Sequence, residues 1–236
     1  AVELEDGQAL EDGVRTAIND FVVGCKDDGI WSAIKSACIL AGARTLDGAL
    51  VPLVGSAPTN NNFVSGDYDR ETGLVGNAST KYLDSNRAEN ADPQDDNHIA
   101  VNVTFHAGSV SRFILSVFDN SISPFRLTEI YDDYGVRSRS ATAALFAPQT
   151  PTFVGNNRNN GSTAEYRAHG STTSYASTSL APSSINYYVF GRNRNGTLVG
   201  PVANRLSFYS IGESLDLADL DNRVSTLMTD IAAAIP

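Results

Sequence analysis

Cysteine is almost absent. Cys25 and Cys38 are the only two in 236 residues, which excludes a dense disulfide scaffold, and their spacing fits no zinc pattern. They are expected in helices as small buried hydrophobes, with a disulfide between them as the alternative. Basic residues are few: 17 Lys and Arg against 27 Asp and Glu give a net charge of -10. Arg137, Arg139, Arg192 and Arg194 are separated by Asn and Ser and build no basic stripe, so nucleic-acid binding is excluded. No apolar run approaches the ~20 residues that cross a bilayer. Ala1–Asp6 lacks the basic start and apolar core of a secretion leader, so none is expected. Nucleophile elbow, phosphate loop, paired-histidine metal motif and nucleotide fingerprint are all missing. The three histidines, His98, His106 and His169, fall at no ligand spacing and read as surface imidazoles.

What the chain does have is strand pattern. Ile99, Val101, Val103 and Phe105 alternate with Ala100, Asn102 and Thr104, which places the first set on a core face and the second outward. Further strands are expected over 113–118, 125–131, 142–146, 164–168, 186–190 and 206–211, and one short edge strand within the Ser/Thr-rich segment 171–184. In the last of the main strands Leu206, Phe208 and Ser210 share a face. Asn160-Gly161 and Asn195-Gly196 favour the positive φ of two-residue hairpin turns. Short strands with Gly/Asn/Ser turns, and helices only at the ends, predict an antiparallel sandwich.

Helical spacing occurs twice. Val14, Ile18, Phe21, Val22 and Cys25, after an Asp12 cap, predict one helix; Ile30, Trp31, Ile34 and Cys38 predict a second before Gly42, making a hairpin. Its stripe of Ile18, Phe21, Trp31 and Ile34 is expected against the sandwich or a neighbouring subunit. Near the end, Leu220, Val224, Leu227, Met228 and Ile231 predict a helix capped by Ser214 or Asp216. The predicted organisation is residues 1–62 as helical hairpin and connection and 63–236 as sandwich with its C-terminal helix.

The stretches Phe208-Tyr209-Ser210-Ile211-Gly212-Glu213-Ser214-Leu215 and Gly73-Leu74-Val75-Gly76-Asn77-Ala78-Ser79-Thr80-Lys81-Tyr82-Leu83-Asp84 resemble the final strand and helix, and the early strand pair, of concanavalin-A-like (laminin-G-like) jelly-roll domains. From about Val14 to Ile235 the chain resembles structural proteins of tailed bacteriophages that carry this lectin-like domain. The resemblance implies an all-β jelly roll, a place in the virion, other virion proteins as partners, and a homo-oligomer with a trimer favoured. It also raises calcium at loop rims, for which Asp67 and Asp69, or Asp92, Asp95 and Asp96, are the candidate ligands.

Glycanases on this fold place two carboxylates across the bond. Their Glu-x-Asp-x-x-Glu run is absent; Glu129 with Asp132 and Asp133 is the nearest approach. The loops holding Asn157, Arg158 and Asn159, and Arg192, Asn193 and Arg194, offer amides and guanidiniums for sugar hydroxyls, with Tyr187, Tyr188 and Tyr166 as flat apolar contacts. The expected function is non-enzymatic binding of a host-surface glycan or receptor by a tail fibre, tail tip or capsid-surface module. A structural adaptor of the virion is the alternative, and a polysaccharide depolymerase the third reading. No cofactor other than calcium is implied.

Overall fold

The computed structural model describes residues 1–108, 112–121, 126–132, 135–146 and 152–236. In chain order the first elements are α1 (Val2–Glu5), α2 (Asp12–Asp27), β1 (Ile34–Ile39), α3 (Leu46–Ala49), β2 (Thr59–Asn61), β3 (Tyr68–Asp69), β4 (Gly73–Val75), β5 (Tyr82–Ala88) and β6 (Asn97–Phe105). Then follow β7 (Phe113–Asp119), β8 (Arg126–Tyr131), β9 (Gly135–Arg137), β10 (Ala144–Leu145), β11 (Thr152–Arg158), β12 (Thr163–Ala168) and β13 (Ser171–Ala176). The chain closes with β14 (Asn186–Val189), β15 (Gly191–Arg194), β16 (Thr197–Val199), β17 (Arg205–Gly212) and α4 (Leu217–Ala234).

Among the described residues the strands form two sheets, the expected jelly-roll sandwich. The first runs β13-β12-β11-β6-β17-β4-β3, with β1 also on β17; the second runs β10-β9-β8-β7-β14-β5-β2, with β15 and β16 attached through β7. Pairing is antiparallel except between β15 and β7. Ile99, Val101 and Val103 enter the core between the sheets with Leu83, Leu115, Ile130 and Leu206. On the other face of the first sheet Ala100 and Phe153 meet α2 and α4, whose Val14, Phe21, Leu220 and Val224 complete a second apolar layer. The stripe of α4 is the one its spacing predicts, and Asp216 caps it by accepting from the amides of Ala218 (2.7 Å) and Asp219 (3.2 Å).

Several expectations need correction. There is no helical hairpin: after α2 and a single tight turn, residues 34–39 become strand β1, paired with β17 at Ala37↔Ser210 and Cys38↔Tyr209. All of its side chains but Lys35 are buried, on both faces, and so short a run carries no clear period to separate strand from helix. Asp12 is the first residue of α2 and not its cap. Ala100 is buried under the helices instead of facing water. Phe105 is 55% exposed, because pairing of β6 with β11 ends at Val103 and the register against β17 shifts between Arg205 and Leu206.

A bulge also divides Leu206 from Phe208. Leu206 opposes Val103 while Phe208 opposes Asn102, so Ser207 is an extra residue and the alternation reverses across it. Leu206 therefore faces the inter-sheet core, and Phe208 faces the helices with its ring edge-on to Phe21 at 5.8 Å. Asn195 and Gly196 do form the expected turn, with φ of 49° and 87°. Asn160-Gly161 instead lies in a four-residue loop between Arg158 and Thr163, where the Asn160 Oδ1 accepts from the amides of Ser162 (3.0 Å) and Thr163 (2.8 Å). Cys25 and Cys38 are free and buried in different layers; burial pushes both thiols up to about 12.

Candidate functional site

The residues expected to touch a ligand do not converge. Asn157 and Arg158 end β11 on the first sheet and Asn159 opens the loop after it, whereas Arg192, Asn193 and Arg194 lie in β15 on the second. Asn157 is buried, donating from Nδ2 to Glu165 (2.7 Å) and accepting at Oδ1 from the Leu215 amide (3.1 Å). Arg158 is fully buried and donates to Ser138 O (2.7 Å), Ser177 Oγ (2.6 Å), Asn160 O (2.9 Å) and Thr163 O (3.2 Å), clamping loops together. Desolvation lowers its pKa. Asn193 is buried too, shaping its hairpin by bonds to Asn186 O (2.9 Å) and the Gly196 amide (2.7 Å). Tyr187 lies in the inter-sheet core, where burial raises its hydroxyl, so it offers no flat surface. Asn159 and Arg194 are exposed.

Arg192 alone of these enters a built constellation. Strand register sets Arg137 on β9, Glu129 on β8, Ser116 on β7 and Arg192 on β15 side by side in one row across the second sheet. Their neighbours Leu115, Val117 and Ile130 point into the core, so the row points away from it. Glu129 is nevertheless fully buried, because the two guanidiniums lie over it: Arg137 pairs with its Oε1 and Arg192 with its Oε2, which also accepts from Ser116 Oγ (3.1 Å). Desolvation pushes this carboxyl up, while Arg192 and Arg137 pull it back down.

Aromatic rings flank the row. The Arg192 guanidinium lies 3.4 Å from the Phe113 ring centroid and 5.0 Å from that of Phe118; Arg137 lies 4.9 Å from that of Tyr131. Phe113 and Tyr131 are themselves 5.7 Å apart. Tyr131 Oη and Arg137 Nε are buried atoms with no hydrogen-bond partner among the described residues. The nearby Tyr82–Tyr188 pair, 4.4 Å between centroids, continues the aromatic character along the sheet. Nothing in the sequence joins these positions: four strands carry them, and only the folded register brings them together. Asp133, the other member of the carboxylate pair considered for hydrolysis, lies outside the described residues.

The acidic loops are occupied by the protein's own groups. Asp67 accepts from the Val64 amide (2.8 Å) and pairs with Lys81; Asp69 accepts from Thr72 Oγ1 (2.6 Å), which lowers its pKa. Asp92 pairs with Arg87, and Asp96 accepts from the Ser214 amide (2.6 Å). Asp95 Oδ1 is buried with no hydrogen-bond partner among the described residues. Among the described residues no three His, Cys, Asp or Glu are grouped to hold an ion. His98 is not at the surface: it is fully buried between Glu213 O (2.5 Å from Nδ1) and Ser210 Oγ (2.7 Å from Nε2). His106 is half-buried against Asp132, 2.8 Å from its carbonyl and 2.9 Å from its carboxylate.

No protein-family model and no curated protein matches the chain. Solved structures similar to it include domain 4 of the arabinanase AbnA from Geobacillus stearothermophilus in complex with arabinotriose, at 11% identity and TM-score 0.46, over 76% of this chain and 82% of that one. The Ruminococcus gnavus IT-sialidase CBM40 bound to α2,3 sialyllactose matches at 13% and TM-score 0.41, over 56% and 83%. A mutant NanB sialidase from Streptococcus pneumoniae matches at 11% and 0.41, over 55% of this chain; the chain spans 24% of that enzyme. The likeness is one of sandwich layout.

Proposed function

We propose that the chain is a non-enzymatic glycan-binding module whose contact surface is the outward face of the second sheet around Arg192, Arg137 and Tyr131. The observation that carries this reading is the alternation of guanidiniums and aromatic rings on one partly exposed face, held in place by the buried Glu129. Rings present flat apolar area to the C–H face of a sugar, and guanidiniums supply paired donors to its hydroxyls. Both Glu129 oxygens are engaged by arginine, so this carboxyl is poorly placed to exchange a proton with a glycosidic oxygen. The sequence resemblance to tailed-phage structural proteins supplies the setting: display on the virion, as a homo-oligomer with a trimer favoured, attaching to host-surface glycan by repeated weak contacts.

Binding to an array of bacterial surface glycans tests the proposal. The native protein is expected to retain selected glycans, and Tyr131→Ala to weaken retention by about tenfold, the equivalent of ~1.4 kcal/mol. Glycan-free behaviour of the native protein, together with capture of other virion proteins, favours the adaptor reading. Release of reducing sugar from host capsule favours a depolymerase.

A further inference from the structure

Helix α4 covers only part of the first sheet. At Gly155 it packs so closely that a side-chain carbon would come within 2.6 Å of Leu217. Beyond the helix the same sheet face turns polar: along β6, His98 and Ala100 give way to Asn102 and Thr104, and Thr152 opens β11. The stripe of α4 beside its buried one carries Asp221, Ser225 and Thr229. Between these two walls runs an open groove of about 560 Å³, with Phe153 and Met228 in its floor and His169 and Gly170 beside Thr152 in its lining. That size suits a small ligand.

The donors of both walls are largely spent inside the protein. Asn102 Nδ2 donates to Ser207 Oγ (2.8 Å), Thr104 Oγ1 to Thr72 O (2.6 Å) and Thr152 Oγ1 to Phe153 O (3.1 Å). On the helix, Thr229 Oγ1 donates to Ser225 O (2.9 Å) and Ser225 Oγ to Asp221 (3.3 Å). What remains for a ligand is a surplus of acceptors: hydroxyl lone pairs, the Asn102 carbonyl oxygen, and the Asp221 carboxylate that also takes Arg167 Nε at 2.7 Å. The chain around it bears a net charge of -10. A ligand rich in donors and positively charged is the complement of such a surface, whereas an acidic sugar would set carboxylate against carboxylate.

We propose that this groove binds an amino sugar, its ammonium beside Asp221 and its hydroxyls donating to Asn102, Thr104 and Ser225. The site is separate from the arginine row of the second sheet and does not depend on it. Calorimetric titration with the β1,4-linked disaccharide of glucosamine, with its N-acetylated form and with digalacturonic acid, tests the assignment. The free amine is expected to bind at least about tenfold more tightly than either competitor, a difference of ~1.4 kcal/mol.

Ser225→Arg and Thr229→Arg, at exposed helix positions, place a cation in the groove and are expected to abolish binding at an unchanged melting temperature. Two variants keep the test decisive if one fails to fold. Tyr131→Ala, in the other site, is expected to leave amino-sugar binding intact, so failure of either site is read separately. Absence of binding by the native protein, equal binding of the N-acetylated or acidic sugar, or retention in both arginine variants overturns the proposal.

Discussion

Buried polar side chains mark the residues whose roles differ most from their appearance in the sequence. Arg192 looks like part of an exposed hairpin tip, yet it covers Glu129 from one side. Arg192→Ala strips a buried carboxylate of one of its two guanidiniums, and a loss on the order of 3–5 kcal/mol is expected in chemical denaturation. Arg194→Ala, two residues on and exposed, is expected to change stability by less than about 0.5 kcal/mol. Equal effects of the two would mean that Arg192 does not hold Glu129. His98 gives a pH signature. Burial lowers its pKa from the ordinary 6.5 to about 4, so the folded protein keeps the ring neutral where the unfolded chain protonates it. Its contribution is complete above pH 6.5 and is lost as pH falls from 6.5 to about 4, a change of roughly 3 kcal/mol. Over that window the native protein should lose more stability than His98→Gln; parallel pH curves for the two would refute the assignment.

At the scale of elements, the bulge at Ser207 decides which layer each side chain of β17 serves. Phe208 and Phe21 touch across the helix layer, so Phe208→Ala and Phe21→Ala should couple by about 0.5–1.5 kcal/mol in a double-mutant cycle. Were Phe208 between the sheets beside Leu206, the two changes would simply add. Much at this scale was legible: the alternation of Ile99, Val101 and Val103, the turn at Asn195-Gly196 and the Asp216 cap each rest on one local rule. The failures share a different cause. β1 is buried on both faces because the inter-sheet core lies on one side and the helices on the other, which blurs the period that distinguishes strand from helix. Ala100 reads as water-facing for the same reason, since the sequence of β6 does not announce the helices that cover it, and His98 does so because Ser210 and Glu213, which enclose it, lie far along the chain. The Arg137–Glu129–Ser116–Arg192 row was illegible because its members meet only through strand register.

At the scale of the whole molecule, the described residues form three layers: helices, first sheet and second sheet. The helices spend their apolar stripes on the first sheet, and the outward face of the second is left to rings and arginines. This asymmetry puts the proposed arginine row and the groove beside α4 on opposite sides of one body. Within that body β17 is central, with β6 along one edge and β4 and β1 sharing the other. During synthesis, therefore, α2 and β1 leave the ribosome long before the strand that completes their sheet exists. At roughly 5–20 residues per second, the interval from Ile39 to Phe208 is on the order of ten to thirty seconds. Throughout it Phe21, Ile34 and Ile39 have neither β17 nor α4 to cover them. A nascent chain of this protein is thus a natural client for chaperones that hold apolar segments, and stalling before residue 205 should leave it bound to them.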